Sequence, residues 1–211
     1  MIPFALSIAF LKLAAYGLLL WLPTYAKDNL KYNNRDAGFI AISNDLGSIF
    51  GSVILGKLTD LTYKKRSPIA FAGLIIGSLL FFLIVFFSDQ NQLLVYTIIF
   101  FIGFFVGGVF NIVAATAAAD IAKGDSLKGN DKALGTVSGI LDGSGSLGAA
   151  FGSLIIGAVR HYSWNWVFIF LSISVFLSSL PIFKVMVKEI LEVWRENSED
   201  PEADKDQQDY E

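Results

Sequence analysis

The sequence predicts an all-α membrane protein with six transmembrane helices, and three observations support this fold class. Hydrophobic residues make up 54% of the 211 residues and charged residues 17%, against roughly 45–50% and 25% in soluble domains. The apolar residues form six runs that carry at most one charge each and are long enough to cross a bilayer. The glycine pattern of the second run returns in the fifth. The six runs are 2–26, 37–56, 67–88, 90–119, 133–159 and 162–183.

Each of the first three runs has one distinguishing feature. The run 2–26 contains one charge, Lys12, and it is too long for a signal-peptide core and lacks a basic leader, so we expect it to be retained. The second run contains Asp45. The third opens with Ser67 and Pro68, a helix cap followed by proline at the first helical position.

The last three runs are read in the same way. The fourth is free of charge and contains Asn111, and the fifth follows a candidate cap at Asn130. The sixth follows a candidate cap at Ser163, and Pro181 is expected to kink or end it. We therefore expect a transmembrane domain over 1–190. An acidic, disordered cytoplasmic tail is expected over 191–211, because this segment has too few apolar residues to form a core.

Lysine and arginine are distributed unevenly between the two sets of loops. The side that carries both termini has ten of these residues and the opposite side has four. Because cytoplasmic loops are enriched in Lys and Arg, both termini are predicted to be cytoplasmic, as an even number of spans requires.

An internal repeat relates the two halves of the chain. The segment GSIFGSVILG begins at Gly47 and GAAFGSLIIG begins at Gly148, so three glycines, a phenylalanine and a serine recur at a constant offset of 101 residues. A shift of three helices divides the chain into two units, about 1–88 and 90–190. Because three is odd, the units run in opposite directions across the membrane, which is an inverted three-plus-three repeat.

Three charged residues lie within the spans, where a charge normally faces a polar cavity or a partner. Lys12 shares a helix face with Tyr16, four residues on. Lys12 could bind an anionic substrate, neutralise Asp45 or Asp142 as a buried ion pair, or extend to the membrane interface. For the two aspartates, which should face the protein interior, a structural or gating role is favoured. Asn111 is a neutral candidate for the same cavity as Lys12.

Other motifs argue against enzymatic, metal or nucleotide chemistry. GSGSLG, beginning at Gly143, has the spacing of a dinucleotide-binding loop but lies inside a membrane span rather than after a β-strand. Gly139, Gly143, Gly148 and Gly152 are better interpreted as a close-packing stripe, as are Gly103 and Gly107 in the fourth span. The chain has no cysteine and a single histidine, His161. We therefore expect no enzyme activity, no metal, no cofactor and no nucleic-acid partner.

The loop after the second span combines a glycine, an acid and a basic cluster. Gly56 is followed four residues later by Asp60, and the loop ends with Lys64, Lys65 and Arg66. The alternatives are a gating signature between paired helices and an ordinary basic cytoplasmic loop.

Several of these segments together resemble the organophosphate:phosphate exchangers of the major facilitator superfamily. They are FLKL at 10–13 with Tyr16, WLPTY at 21–25, DLG at 45–47, Gly56 with Asp60, FVGG at 105–108 with Asn111, Ala119 with Asp120, and SGILDGSGSLGAA at 138–150. The similarity covers about residues 3–190 and is greatest to the eukaryotic sugar-phosphate exchangers, the solute carriers for glucose-6-phosphate and glycerol-3-phosphate.

The resemblance implies alternating access with exchange of a sugar phosphate or glycerol-3-phosphate for inorganic phosphate, commonly at the endoplasmic reticulum membrane. It implies substrate binding by Lys12, Tyr16 and Asn111. Bacterial exchangers have a phosphate-binding arginine at the position of Ala15, one turn from Lys12. Family members have twelve spans and this chain resembles the second six, so the expected partner is an N-terminal half or a second copy. Alone, six helices should leave Lys12, Asp45 and Asp142 on an open face.

The same sequence leaves two other functions open. One is a facilitator for a different organic anion, such as a carboxylate. The other is a non-transporting membrane scaffold or fragment.

Overall fold

A computed structural model describes residues 2–61, 66–87, 91–114 and 131–199, and it contains six helices that are long and apolar enough to cross a membrane. This confirms the predicted fold class. The helices are α1 Ile2–Asp28, α2 Asn34–Leu61, α3 Ser67–Phe87, α4 Gln92–Ala114, α5 Asp131–Val159 and α6 Trp164–Glu199.

Side-chain caps mark the starts of several helices. The Asn33 side chain accepts a hydrogen bond from the Asp36 backbone N–H (2.9 Å) before α2, and Asn91 caps α4 through the N–H of Leu93 (3.1 Å). The Ser163 hydroxyl accepts from the N–H of Asn165 (3.2 Å), which confirms the predicted cap of α6. These bonds satisfy N–H groups that a helix start leaves unpaired. The predicted cap Asn130 lies outside the described residues.

The start of α3 is held by another helix. The backbone N–H and the hydroxyl of Ser67 donate to the two carboxylate oxygens of Glu189 in α6, at 3.3 and 3.0 Å. A carboxylate at a helix N-terminus also interacts favourably with the helix dipole. α3 and α6 are thereby joined at the end of the bundle that carries both termini.

Helix α6 continues well past Pro181, so the expectation that this proline could end the helix was wrong. The Ser7 hydroxyl of α1 donates to the carbonyl of Ser178 (2.7 Å), one turn before the proline. This bond ties α1 to α6 in the turn that precedes the proline. α6 reaches Glu199, so residues 191–199, predicted as part of a disordered tail, are helical. The rest of the predicted tail, 200–211, lies outside the described residues.

Contacts between the helices follow the internal repeat. α5 packs on α1 in the same way that α2 packs on α4: a Cβ at Gly148 would overlap the Ala9 carbonyl, and one at Gly51 would overlap the Phe104 carbonyl. Gly103 of α4 lies equally close to the Asn44 carbonyl of α2. Absent side chains allow these backbones to approach.

α3 and α6, the third helix of each repeat unit, also contact each other. Ser78 and Ser172 exchange hydrogen bonds there, each hydroxyl donating to the other residue's carbonyl at 3.0 and 2.8 Å. Both residues are buried. This reciprocal pair relates equivalent helices of the two units, which supports the inverted repeat.

The predicted glycine stripe in α5 is only partly correct. Gly148 and Gly152 contact α1, with Gly152 against Leu13, but a Cβ at Gly139 or Gly143 would meet nothing within 4 Å. Those two glycines belong to a face of α5 that no described residue covers. Gly103 and Gly107 do contact α2, as predicted.

Candidate functional site

The Lys12 side chain extends from α1 onto α5, where Gly145 leaves room for it. Gly145 provides room for its aliphatic stem, since a Cβ at that position would be 2.7 Å from the Lys12 Cδ. The Lys12 Nζ contacts the Asp142 Oδ1 at 2.7 Å and donates to the Ser146 hydroxyl at 3.1 Å. Ser146 itself donates to the Asp142 carbonyl one turn earlier (2.9 Å). The ammonium is thus oriented by two side chains of one helix turn.

The two members of this ion pair differ in exposure. The Lys12 side chain is 9% exposed and that of Asp142 is 78% exposed. Lys12 is therefore buried, contrary to the expectation that six helices alone would leave it on an open face. Asp142 lies at the surface of the bundle rather than in its interior. Among the partners considered for Lys12, the structure contains Asp142 and not Asp45.

The depth of Lys12 in the membrane follows from its position along α1. At 1.5 Å per residue, Lys12 is roughly 10 Å along α1 from Ala5 and roughly 24 Å from Asp28, the ends of its apolar span. The ammonium therefore lies in the third of the span nearest the chain termini.

Tyr16 connects Lys12 to a neighbouring cavity. Its ring centroid is 5.5 Å from the Lys12 Nζ, and its edge packs against Phe110 of α4 with centroids 6.3 Å apart. The predicted shared face of Lys12 and Tyr16 is present in the structure. A cation at this distance is attracted by the face of an aromatic ring.

The cavity next to Tyr16 has a volume of about 180 Å³ and lies between α1, α2 and α4. Asn44, Asp45 and Ser48 of α2 line one wall, and Gly103 and Gly107 of α4 line another. The stretch Gly103–Gly107 is a π-helical turn within α4. Such turns occur frequently at functional sites.

Asn111 does not join Lys12 and Tyr16. Its amide donates to the Ser52 hydroxyl (2.8 Å), and it lines a different pocket, nearer the terminal end, together with Asp60 and Arg66. Lys64 and Lys65, predicted to act with them, lie outside the described residues.

At the opposite end of the bundle, a second ion pair joins α1 to α5. The Arg160 guanidinium contacts the Asp28 carboxylate at 3.2 Å and lies 4.8 Å from the centre of the Trp21 ring. The Trp21 indole N–H donates to Ser153 (3.0 Å). α1 and α5 are therefore fastened by polar contacts at both ends of their interface.

Sequence reasoning missed Asn44, Ser48, Gly145 and Ser146. Ser146 had a detectable signal, since it lies four residues after Asp142 and so shares its helix face. Asn44 and Ser48 had none beyond being neighbours of Asp45. Among the described residues, no group of three His, Cys, Asp or Glu side chains could hold a metal ion.

Comparison with known proteins gives a consistent set of relatives. The family model for the Major Facilitator Superfamily matches residues 4–207. Sugar phosphate exchanger 3 of Mus musculus is 33% identical over 90% of this chain and 38% of its own length. Glucose-6-phosphate exchanger SLC37A2 of Mus musculus is 33% identical over 92% of this chain and 38% of its own. Putative glycerol-3-phosphate transporter 5 of Arabidopsis thaliana is 32% identical over 89% and 39%.

The chain spans about two fifths of the length of these curated relatives. The family model covers nearly all of it, and the six helices and their inverted repeat agree with that match. This chain belongs to the Major Facilitator Superfamily of membrane transporters.

Proposed function

We propose that the chain is the C-terminal half of a secondary transporter that exchanges a sugar phosphate or glycerol-3-phosphate for inorganic phosphate by alternating access. The observation that carries this proposal is a buried ammonium, Lys12, whose counter-ion Asp142 is exposed. The names of the three relatives support the substrate class, because each names a phosphorylated sugar or glycerol-3-phosphate.

The Lys12–Asp142 pair can function as a displaceable counter-ion arrangement. An ammonium near the membrane interior requires an anion, and Asp142 supplies one when no substrate is bound. A phosphate oxygen forms the same charge-assisted bond to Nζ that the carboxylate forms. Because Asp142 is exposed, it can turn away without breaking packed contacts, and Lys12 can then bind the phosphate.

The remaining predicted residues have supporting roles in this proposal. Tyr16 lines the site beside Lys12. Asn111, with Ser52, lies nearer the terminal end, where Asp60, Arg66 and the loop lysines Lys64 and Lys65 contribute to gating. Asp45 and Asp142 adjust the charge of the site. Rocking of one half against the other would expose Lys12 to each side in turn.

The proposed assembly and location follow from the family resemblance. An N-terminal half-transporter, or a second copy of the chain, completes the cavity opposite α1, α2, α4 and α5. The proposed cytoplasmic position of both termini rests instead on the distribution of Lys and Arg between the loops. The endoplasmic reticulum membrane is the proposed location.

Counter-flow in proteoliposomes tests this function. Vesicles containing the complete assembly are loaded with unlabelled inorganic phosphate, and uptake of labelled phosphate is followed. We expect uptake that requires internal phosphate and that external glycerol-3-phosphate or glucose-6-phosphate inhibits. Uptake driven equally well by internal carboxylates would indicate a facilitator of another anion. The absence of any exchange would indicate a scaffold.

A further inference from the structure

The cavity beside Tyr16 has walls that offer hydrogen-bond acceptors. Asp45 contributes a carboxylate, Asn44 a side-chain carbonyl, and Ser48 and Tyr16 contribute hydroxyls that can accept or donate. Among the residues that the structure describes, no Lys or Arg lines it. A ligand suited to this cavity therefore brings donors.

Two of these acceptors have no partner among the described residues. The Asn44 Oδ1 is buried and accepts no hydrogen bond, and the residue as a whole is 9% exposed. Asp45 is exposed and is in none of the ion pairs or side-chain hydrogen bonds that the described residues form. Buried polar atoms in native proteins are nearly always hydrogen-bonded, so the unpaired Asn44 Oδ1 beside the cavity indicates a missing donor.

The backbone of α4 lies directly against the acceptor side chains of α2. Gly103 and Gly107 lie in the π-helical turn, and a Cβ at Gly103 would overlap the Asn44 carbonyl and lie 3.0 Å from its Oδ1. A Cβ at Gly107 would overlap the Ser48 hydroxyl. A larger residue at either position would therefore displace the side of α2 that carries the acceptors.

Tyr16 places this cavity next to the ammonium of Lys12. One face of the ring is near Nζ, and the same residue lines the cavity. Lys12 and Tyr16 are one helix turn apart, roughly 6 Å along the axis. A ligand held at Lys12 by one end would therefore have its other end beside Tyr16, which lines the cavity.

We propose that this cavity binds the hydroxyl-bearing end of the organophosphate, with Asp45 and Asn44 accepting hydrogen bonds from its hydroxyl groups. The inference rests on the proposed function, because it takes the phosphate to be bound at Lys12. The negative charge of Asp45 repels a phosphate and attracts hydroxyl donors. The two ends of the site thus fix the orientation of the substrate and favour a phosphorylated polyol over an alkyl phosphate.

The test compares substrates that differ in hydroxyl groups. Proteoliposomes with the complete assembly are given labelled inorganic phosphate, and inhibition by glycerol-3-phosphate or glucose-6-phosphate, whichever the wild type exchanges faster, is compared with inhibition by propyl phosphate. We expect the wild type to prefer the polyol phosphate. Asp45→Asn should reduce this preference roughly fivefold, because asparagine still accepts a hydrogen bond but lacks the charge that strengthens it.

A matched control is available on the same helix. Asp36 lies at the other end of α2, roughly 13 Å from Asp45 along the axis. Asp36→Asn should keep the wild-type preference, whereas Asn44→Ala should reduce it in the same direction as Asp45→Asn.

In the transport assay, three results would overturn the proposal. The first is an unchanged preference in Asp45→Asn, and the second is an equal loss in Asp36→Asn. The third is a sodium requirement for phosphate exchange that Asp45→Asn removes, which would make the cavity a cation site.

If the assembly transports nothing, the same ligands are compared by thermal stabilisation of the purified assembly, where equal shifts with polyol and propyl phosphate would contradict the assignment. Failure of the proposed phosphate binding at Lys12 is distinguished by Lys12→Ala, which would then leave phosphate exchange intact.

Discussion

At the scale of single residues, the chemistry of the site depends on how unequally Lys12 and Asp142 are exposed. A fully buried pair would be costly to separate, since removing either partner leaves an isolated charge. Here the carboxylate is exposed, and exposed ion pairs are usually weak. The pair therefore keeps the ammonium oriented while leaving it able to bind a substrate anion. Sequence predicted the cation and its Tyr16 neighbour. It could not choose between Asp45 and Asp142, because that choice depends on which helix packs beside α1.

Replacing Asp142 by asparagine tests the displaceable counter-ion. Without the competing carboxylate, phosphate should bind Lys12 more tightly, and we expect the KM for inorganic phosphate in counter-flow to fall roughly two- to fivefold. Asp28→Asn, which removes the carboxylate of the other described α1–α5 ion pair, should leave this KM unchanged. If the role of Lys12 is instead to neutralise Asp142, the KM will not fall, and the double variant Lys12→Ala/Asp142→Asn will exchange phosphate as well as the wild type.

At the scale of helices, glycine spacing determines which elements lie close together. The repeated spacing predicted that α2 and α5 have equivalent roles, and the structure confirms it, with α2 against α4 and α5 against α1. The predicted glycine stripe extended too far towards the start of α5, beyond its contact with α1. Gly139 and Gly143 lie on an uncovered face, because the helix turns by roughly 140° between Gly143 and Gly148, so the two pairs of glycines point in different directions.

Alanine substitutions along α5 should separate these two kinds of glycine. At Gly148 a Cβ would overlap the Ala9 carbonyl, and overpacking of this kind costs about 1–3 kcal/mol. We expect Gly148→Ala to lower the thermal midpoint of the purified protein by several degrees, since 1 kcal/mol corresponds to roughly 2–4 °C at this chain length. Gly143→Ala is the matched control and should not lower it. Equal destabilisation by both variants would show that the α1–α5 interface differs from the one described.

At the scale of the whole molecule, α2 and α5 are the least buried helices, and they flank the site. The polar side chains of Asp45 and Asp142 lie on the outside of this six-helix bundle, where lipid would be an unfavourable neighbour. A second six-helix unit over this face would enclose them. The sequence predicted the number of spans and the repeat, because both depend on composition and periodicity. It could not predict that Asn111 lies with Ser52 and Asp60 rather than with Lys12, because that depends on how the helices pack.

Cysteine labelling tests the predicted orientation of the bundle. The chain contains no cysteine, so single introduced cysteines can be labelled without background. We expect a membrane-impermeant maleimide to label Lys188→Cys from the cytoplasmic side and Arg35→Cys, before the second span, from the opposite side. Labelling of both variants from the same side would contradict the six-span topology. Labelling of Arg35→Cys from the cytoplasmic side and Lys188→Cys from the opposite side would show that the predicted orientation is reversed.

The most direct measurement is the rate of phosphate counter-flow in proteoliposomes containing the complete assembly with Lys12→Ala, compared with wild type and with the exposed control Lys27→Ala. If the Lys12 ammonium binds the phosphate, Lys12→Ala should reduce exchange at least about tenfold, Lys12→Arg should retain part of it, and Lys27→Ala should match the wild type. Exchange at the wild-type rate in Lys12→Ala would contradict the account.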